Sequence, residues 1–273
     1  MTKFVLFSDI HEHAVFSARS LFDKRVFGLM NSTFCRHGSY RMERIDAAVS
    51  TILDSLRPDL VIFTGDAVST SDPREFDAAL NRLRPLIDSG IPILYSPGNH
   101  DRYVRARACR EAFERFRAEL TRTCPMDLPG IYETQDLRFA VIDCARPFNP
   151  VLSCGEMKQE TADFLEAEAG KDDPRPLVCV GHFPLHGNDG WKAYRHRLIG
   201  GKCAERLLDA GKIALSLAGH VHVPFQRLDA RGYGEIVAGS LTKKDILREI
   251  TFDNGVFTVR DLTSDGEAAP PLR

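Results

Sequence analysis

Short apolar runs punctuate the chain, and each ends in polar residues. Residues 3–7 (KFVLF), 59–63 (DLVIF), 91–95 (IPILY), 138–142 (RFAVI), 176–180 (PLVCV) and 213–217 (IALSL) are brief, rich in Val and Ile, and bounded by Gly, Pro, Asp or Ser. Runs of this kind predict strands buried in a sheet. Between them the apolar spacing changes to three and four. Met42, Ile45, Val49, Ile52, Leu53 and Leu56 predict an amphipathic helix over 41–56, and Phe76, Leu80, Leu83 and Ile87 predict another over 73–88. The second begins with Asp72-Pro73, a capping residue followed by proline in the first turn. Residues 101–120, 157–168 and 203–210 are further helical stretches.

After residue 220 the pattern becomes hairpin-like, with strands expected over 224–229, 233–238, 246–252 and 255–260. Ala230-Arg231-Gly232 and Asp253-Asn254-Gly255 supply the turns. Strand–helix alternation followed by mostly β structure predicts one α/β domain over 1–262, with a flexible tail over 263–273. Segment 12–40 interrupts the alternation. It is a long connection mixing Phe16, Phe22, Phe27 and Phe34 with Arg19, Lys24 and Arg25, and a connection of this length is either functional or carries its own structure.

The polar residues at the strand ends change the picture. Ser8-Asp9-Ile10-His11, Thr64-Gly65-Asp66, Gly98-Asn99-His100-Asp101, Gly181-His182 and Gly219-His220-Val221-His222 each follow a predicted strand. Ligands bind at the carboxyl ends of strands in open α/β sheets, so these side chains are expected to converge. Asp9, Asp66, Asn99, His11, His182, His220 and His222 offer oxygen and imidazole nitrogen but no thiolate. That donor set suits Mn, Fe or Zn. It is too large for one tetrahedral ion and about right for two ions sharing a carboxylate, the arrangement that activates water and clamps phosphate oxygens. Any one of these strings is a weak signal, whereas all of them in one order, each after a strand, are a strong one.

Composition adds exclusions. Lys and Arg number 36 against 38 Asp and Glu, a net charge of −2, which argues against a nucleic-acid binder. The seven cysteines are odd in number and widely spaced, with no C-x-x-C, which argues against a disulfide framework or a zinc knuckle. The first apolar run is too short for a signal-peptide core, and no stretch reaches the ~18 apolar residues of a membrane span, so a cytoplasmic location is expected.

The strings DIH (9–11), GD (65–66), GNHD (98–101), GH (181–182) and GHVH (219–222) resemble the calcineurin-like metallophosphoesterases, over about residues 3–240. The resemblance is nearest their bacterial cyclic-nucleotide and glycerophosphodiester phosphodiesterase branch. It implies a four-layer α-β-β-α sandwich of two mixed sheets flanked by helices. It also implies that Asp9, His11 and His222 hold one metal ion, that Asn99, His182 and His220 hold a second, and that Asp66 bridges them. His100 would contact the phosphate and protonate the leaving group, with Asp101 orienting its ring. Gly98 and Gly219 would let their loops approach the metals closely. The implied reaction is hydrolysis of a phosphoester, foremost a phosphodiester, by a metal-bridging hydroxide.

Within the same chemistry, the aromatic and basic residues of 12–40 suggest an alternative, a lipid-linked nucleotide pyrophosphate hydrolase of the UDP-diacylglucosamine type, in peripheral contact with a membrane. A phosphomonoesterase and a metal-free scaffold are the other readings, and retention of all seven ligands and His100 argues against the scaffold. Many relatives place a further Asp or Asn after G-D, where this chain reads Ala67-Val68-Ser69-Thr70. His13, His37 and His196 read as surface-loop residues, and His186 as either a pocket or a loop residue. Trp191 and Tyr194 are candidates for the rim of the site. Arg102, Arg105, Arg107 and Arg110 read as a solvated helix face interleaved with Glu111 and Glu114, and Ser240 has no assigned role.

Overall fold

A computed structural model describes residues 1–13, 40–147, 153–186 and 196–271. Most of segment 12–40, on which the lipid and membrane reading rests, therefore lies outside the described residues, as do His37, Trp191 and Tyr194.

The early apolar runs are strands β1 (Thr2–Phe7), β2 (Leu60–Phe63) and β3 (Ile93–Tyr95), paired in parallel. Antiparallel β12 (Leu247–Asp253) and β13 (Val256–Leu262) complete their sheet in the order β13-β12-β1-β2-β3. The later runs belong to a second sheet. It contains β4 (Gly130–Glu133), β5 (Arg138–Val141), β7 (Leu177–Val180), β9 (Leu215–Ala218), β10 (Phe225–Leu228) and β11 (Gly234–Val237), in the order β10-β11-β9-β7-β5-β4. A short parallel pair joins β6 (Gly155–Glu156) to β8 (Leu198–Ile199). The helices among the described residues are α1 (Glu43–Thr51), α2 (Pro73–Asp88), α3 (Arg107–Leu120), α4 (Gln159–Ala169), α5 (Lys202–Asp209) and α6 (Leu241–Lys244). A wider π turn over Ile52–Leu56 prolongs α1.

Side chains alternate across each strand and sort into three packed layers of contact. Val5, Phe7, Val61, Phe63, Ile93 and Tyr95 face α1, α2 and α3 through Ile45, Val49, Phe76, Leu83, Phe113 and Phe116. Phe4, Leu6, Leu60, Ile62 and Leu94 face the second sheet and meet Phe139, Val141, Val178, Val180 and Leu217. On the far side of that sheet, Ala140, Leu177 and Cys179 pack on Leu165 of α4 and Leu208 of α5. Both faces of each sheet are covered, which is why the strands read as continuous apolar runs rather than alternating ones. The result is the four-layer α-β-β-α sandwich of mixed sheets.

The late hairpins divide between the sheets. β10 and β11 pair antiparallel, but β11 lies parallel beside β9, whereas β12 and β13 extend the first sheet from β1. Beyond β13 the chain turns back, with Ala269 N donating to Asp261 O at 2.9 Å and Thr51 Oγ1 donating to Ser264 O at 2.7 Å. Register fixes where the polar loops emerge. Phe7 lies beside Phe63 and Phe63 beside Tyr95, so the loops after β1, β2 and β3 leave one edge. Val141, Val180 and Leu217 are aligned likewise in the second sheet.

The start of α2 carries a pH-dependent contribution. Asp72 Oδ1 accepts from Arg74 N at 3.0 Å, and the Glu75 carboxylate reaches back to Asp72 N at 3.3 Å, closing a capping box. Glu75 is buried and also accepts from Thr70 N and Thr70 Oγ1, at 2.8 and 3.0 Å. Burial raises its pKa from 4.5 to about 7. The folded protein thus holds this proton more tightly than the unfolded chain. Its stabilising effect is full below pH 4.5 and is lost as pH rises through about 7. Urea unfolding at pH 5 and pH 8 should show Glu75→Gln gaining stability relative to the parent at the higher pH, by about 3 kcal/mol. A constant difference between the two proteins would show that Glu75 is ionised throughout.

Candidate metal centre

The predicted side chains meet because their backbones turn sharply at the strand ends. Asp9, His11, Asp66, His220 and His222 all have positive φ, between 49° and 69°. Non-glycine residues rarely adopt this conformation, which costs on the order of 1–3 kcal/mol each and collects at functional sites. Each turn is held by neighbouring loops. Asp9 N donates to Gly65 O, His11 N to Asp66 O and Glu12 N to Ala67 O, zipping the loop after β1 to the loop after β2. Gly219 N donates to His182 O, and His220 N donates to Asp9 Oδ2 at 3.0 Å, tying the second sheet to the first. Ser240, given no role by the sequence, donates its hydroxyl to Asp9 O at 2.7 Å.

Two glycines admit this closeness. A Cβ on Gly98 would lie 2.1 Å from Asp66 Oδ1, and one on Gly219 would lie 1.9 Å from Ser8 Oγ.

The convergent donors form two groups, each with its donor atoms within 4.8 Å of one another: Asp9, His11, Asp66 and His222, and Asp66, His182 and His220. Asp66 belongs to both. Its Oδ2 lies 3.7 Å from His11 Nε2 and 3.5 Å from His182 Nε2. Asn99 is also buried, in the turn between Gly98 and His100. The donors fit cations better than they fit each other. His11 Nε2 and His222 Nε2 point at one another across 2.9 Å. Asp9 Oδ1, His11 Nδ1, Asn99 Oδ1 and His182 Nε2 are buried without a hydrogen-bond partner among the described residues. Buried polar atoms are ordinarily paired, so a cluster of unpaired lone-pair donors marks a place for a positive ion.

The electrostatics agree. Burial lowers His11 to about 4 and holds His220 well below its usual value, so both imidazoles are neutral and able to coordinate. Burial alone would raise Asp9, but the His11 and His222 imidazoles beside its carboxylate keep it ionised. For Asp66 the burial penalty is overcome chiefly by the charge of His182. Burial would likewise depress His182, yet Asp66 and Asp9 carry it up to about 9. A proton on this ring stands where a cation would balance the same carboxylates.

His100 borders the cluster, its ring 4.9 Å from that of His11 and stacked on Tyr103 at 5.3 Å. The expected partner of its ring is corrected here. His100 Nδ1 lies 2.6 Å from Ser69 O, so the backbone orients the ring. This carbonyl comes from the stretch where many relatives carry a further acid. The Asp101 carboxylate is engaged elsewhere. It accepts from Gly98 N and Tyr95 Oη at 2.7 Å, from Asp66 N and Ala67 N at 2.8 Å, and from Val68 N at 3.3 Å. Asp101 is a positioning residue that clasps the loops after β2 and β3 together.

Besides Ser240, three contributors escaped the sequence reading. His196 Nδ1 lies 3.2 Å from His220 Nε2, and Tyr40 Oη lies 3.4 Å from His222 Nδ1. Tyr103 is the third. His196 and Tyr40 are brought in by folding from positions with no motif around them. Tyr103 stands just beyond GNHD among arginines that read as a solvated face. His13 is exposed, and His186 turns to α5, with Nε2 3.2 Å from Asp209 Oδ1.

Comparison with known proteins places this geometry. Residues 2–224 match the family profile described as calcineurin-like phosphoesterase. A cAMP/cGMP dual specificity phosphodiesterase of Mycobacterium tuberculosis is 25% identical over 206 residues, 73% of this chain and 57% of that protein. A glycerophosphodiester phosphodiesterase of Enterobacter lignolyticus is 28% identical over 159 residues, 54% of this chain and 51% of that protein. The chain thus spans a little over half the length of the curated relatives it matches. A dimetal phosphatase from Danio rerio has the same fold, with a TM-score of 0.63 at 15% identity, covering 97% of this chain and 99% of that one. The purple acid phosphatase of yellow lupin seeds also shares it, with a TM-score of 0.60 at 14% identity, covering 98% of this chain and 52% of that one.

The Asp101 clasp makes a prediction of its own. In Asp101→Asn an amide NH₂ would face amides that can only donate. Stability to urea should fall by about 3 kcal/mol. Metal affinity, measured by calorimetry, should weaken about 10- to 100-fold although Asp101 is not among the proposed ligands. Parental values for both would remove the clasp.

Proposed function

The chain belongs to the calcineurin-like phosphoesterase family, and from that membership we propose that it is a two-metal phosphodiesterase. The observation that carries the proposal is the pair of donor groups sharing Asp66. Asp9, His11 and His222 would hold one ion, and Asn99, His182 and His220 the other. Mn, Fe and Zn suit a set of carboxylate, amide and imidazole donors without thiolate. Bound there, two cations supply Lewis acidity, lowering the pKa of a coordinated water and neutralising charge on phosphoryl oxygens.

The chain's own residues do the rest. Asp66, fixed by the bond from His100 N to its Oδ1 at 2.8 Å, keeps its other oxygen toward both halves of the centre. Because a carbonyl only accepts, Ser69 O holds the proton of His100 on Nδ1. That leaves Nε2 as the edge that faces the phosphoryl group. Once the ring is protonated, Nε2 donates to the departing ester oxygen, and Ser69 O stabilises the cationic ring. Tyr103, stacked on His100, restricts the ring to this orientation.

The curated relatives, a cyclic-nucleotide and a glycerophosphodiester phosphodiesterase, support a diester as the substrate class, with nucleotides foremost. Among the described residues no helix is long and apolar enough to cross a membrane. The six described cysteines are buried thiols outside any disulfide, a usage typical of a reducing compartment, which supports a cytoplasmic site of action.

With Mn²⁺ added, bis-p-nitrophenyl phosphate should be hydrolysed in preference to p-nitrophenyl phosphate, and a chelator should stop turnover. Activity on the monoester alone would overturn the diesterase assignment. Asp66→Ala and His220→Ala should each abolish metal-dependent hydrolysis while circular dichroism stays parental. His100→Ala should keep its metal content, measured by plasma emission, yet turn over the diester at least about 100-fold more slowly. Full activity in that variant would remove its role at the leaving oxygen.

A further inference from the structure

Beyond the metal centre, the chain following His100 opens onto a cavity of about 290 Å³ against the start of α3. That volume is near the lower end of small-molecule sites and much larger than a water needs. Its walls are of two kinds. Val104, Cys109, Phe113 and Pro147 supply apolar surface, and Arg102, Arg105 and Arg110 supply positive charge, while Glu114, also in the lining, is paired with Arg102 and Arg117. The arginines are not equivalent. Arg102 is neutralised by Asp143 at 2.8 Å and Glu114 at 4.0 Å, and its guanidinium lies 4.6 Å from the centre of the Phe113 ring. It therefore completes the wall. Arg107, on the same turn, is paired with Glu111 at 2.7 Å. Arg105 and Arg110 are exposed and have no carboxylate partner among the described residues. The end of α3 beside them adds to the positive field, because Ala106 provides no side-chain cap and the first turn has no acid.

Position links this cavity to the reaction. Asp101 forms part of its lining. Arg102 is two residues from His100, so their Cα atoms lie within about 7 Å of each other. A phosphoryl group facing His100 would have one ester arm within reach of the cavity mouth.

We propose that this cavity is the subsite for one ester arm of the phosphodiester, and that it selects an arm whose apolar or aromatic body ends in an anion. The inference rests on the diesterase reading above. The body packs on Phe113, Val104 and Pro147, and the anion lies between Arg105 and Arg110. A neutral arm fills the cavity but leaves these cations without a partner.

The test uses two diesters that release p-nitrophenol and differ only in the other arm, 4-carboxyphenyl in one and 4-carbamoylphenyl in the other. The parent enzyme should favour the carboxylate by about tenfold or more in kcat/KM. The double variant Arg105→Gln, Arg110→Gln should bring the ratio close to one while leaving turnover of the carbamoyl diester within about twofold. No preference in the parent, or a preference that survives in the variant, overturns the proposal. A second measurement does not depend on hydrolysis. Calorimetry of phenylphosphonate with metal-free protein should show binding to the parent and at least about fivefold weaker binding to the variant. Equal binding, or none to the parent, removes the cavity as an anion site even if the enzyme proves to be a diesterase. Calorimetric binding without a preference in kcat/KM marks a site for a free anion and overturns the ester-arm assignment.

Discussion

One buried carboxylate outside the proposed ligand set organises the whole site. Asp101 gathers four backbone amides and the Tyr95 hydroxyl around its two oxygens. The amides come from the loops after β2 and β3, so those loops share one anchor. The loop after β1 is zipped to the second through Gly65 O, Asp66 O and Ala67 O. His182 Nδ1, 2.5 Å from Thr64 O, brings in the second sheet. Removing the anchor would leave amides in a dry interior with no acceptor, which is more costly than never having buried them. Burial and the nearby Asp66 push Asp101 up to about 7, and the donors converging on it oppose that rise. The clasp is thus a compromise between solvation lost and hydrogen bonds gained.

The constraint explains why the strand ends tolerate what the rest of the chain avoids. Five of the clustered residues sit at positive φ, several buried polar atoms lack a hydrogen-bond partner among the described residues, and two carboxylates are buried in one cluster. None of this favours the folded state by itself. The three apolar layers offset it, because the strands that deliver these loops are buried on both faces. A scaffold rigid to the last residue of each strand can hold its loops in strain, whereas a surface hairpin would relax. Cations would then be bound by groups already in place, and little ordering would remain to oppose binding.

The same rigidity governs how much could be read from the sequence. The central strands were legible because burial on both faces writes an unbroken apolar run, and α2 was legible because Asp72 and Pro73 spell its start. β4, β6 and β8 were not, since four- and two-residue strands at an edge carry too few positions for a period to show. The late hairpins were visible as hairpins, but their division between two sheets depends on pairing far along the chain. At the site, residues flanked by glycine at strand ends announced themselves. His196, Tyr40 and Ser240 did not, because each reaches the centre from a loop with no pattern of its own. Asp101 was recognised as important and given the wrong neighbour. The family resemblance implied that it orients the His100 ring, yet its carboxylate is held by amides from both loops.

Charge completes the argument. A net charge of −2 suggests no preference for anions, but the average conceals a division of labour. Asp9 and Asp66 spend their charge inward, on histidines and on whatever cations sit between them. Around the cavity beside His100, Asp143, Glu114 and Glu111 neutralise Arg102 and Arg107 and leave Arg105 and Arg110 exposed. The proposed substrate, an anionic diester, would therefore meet positive charge at two separated points, the metal centre and the end of α3, with an apolar wall between them. Two fixed charges at a set spacing discriminate by length as well as by sign, and a mobile arginine pair alone could not do so. The turn from Gly98 to Arg102, anchored by Asp101, lies between the metal centre and the chain that leads into α3.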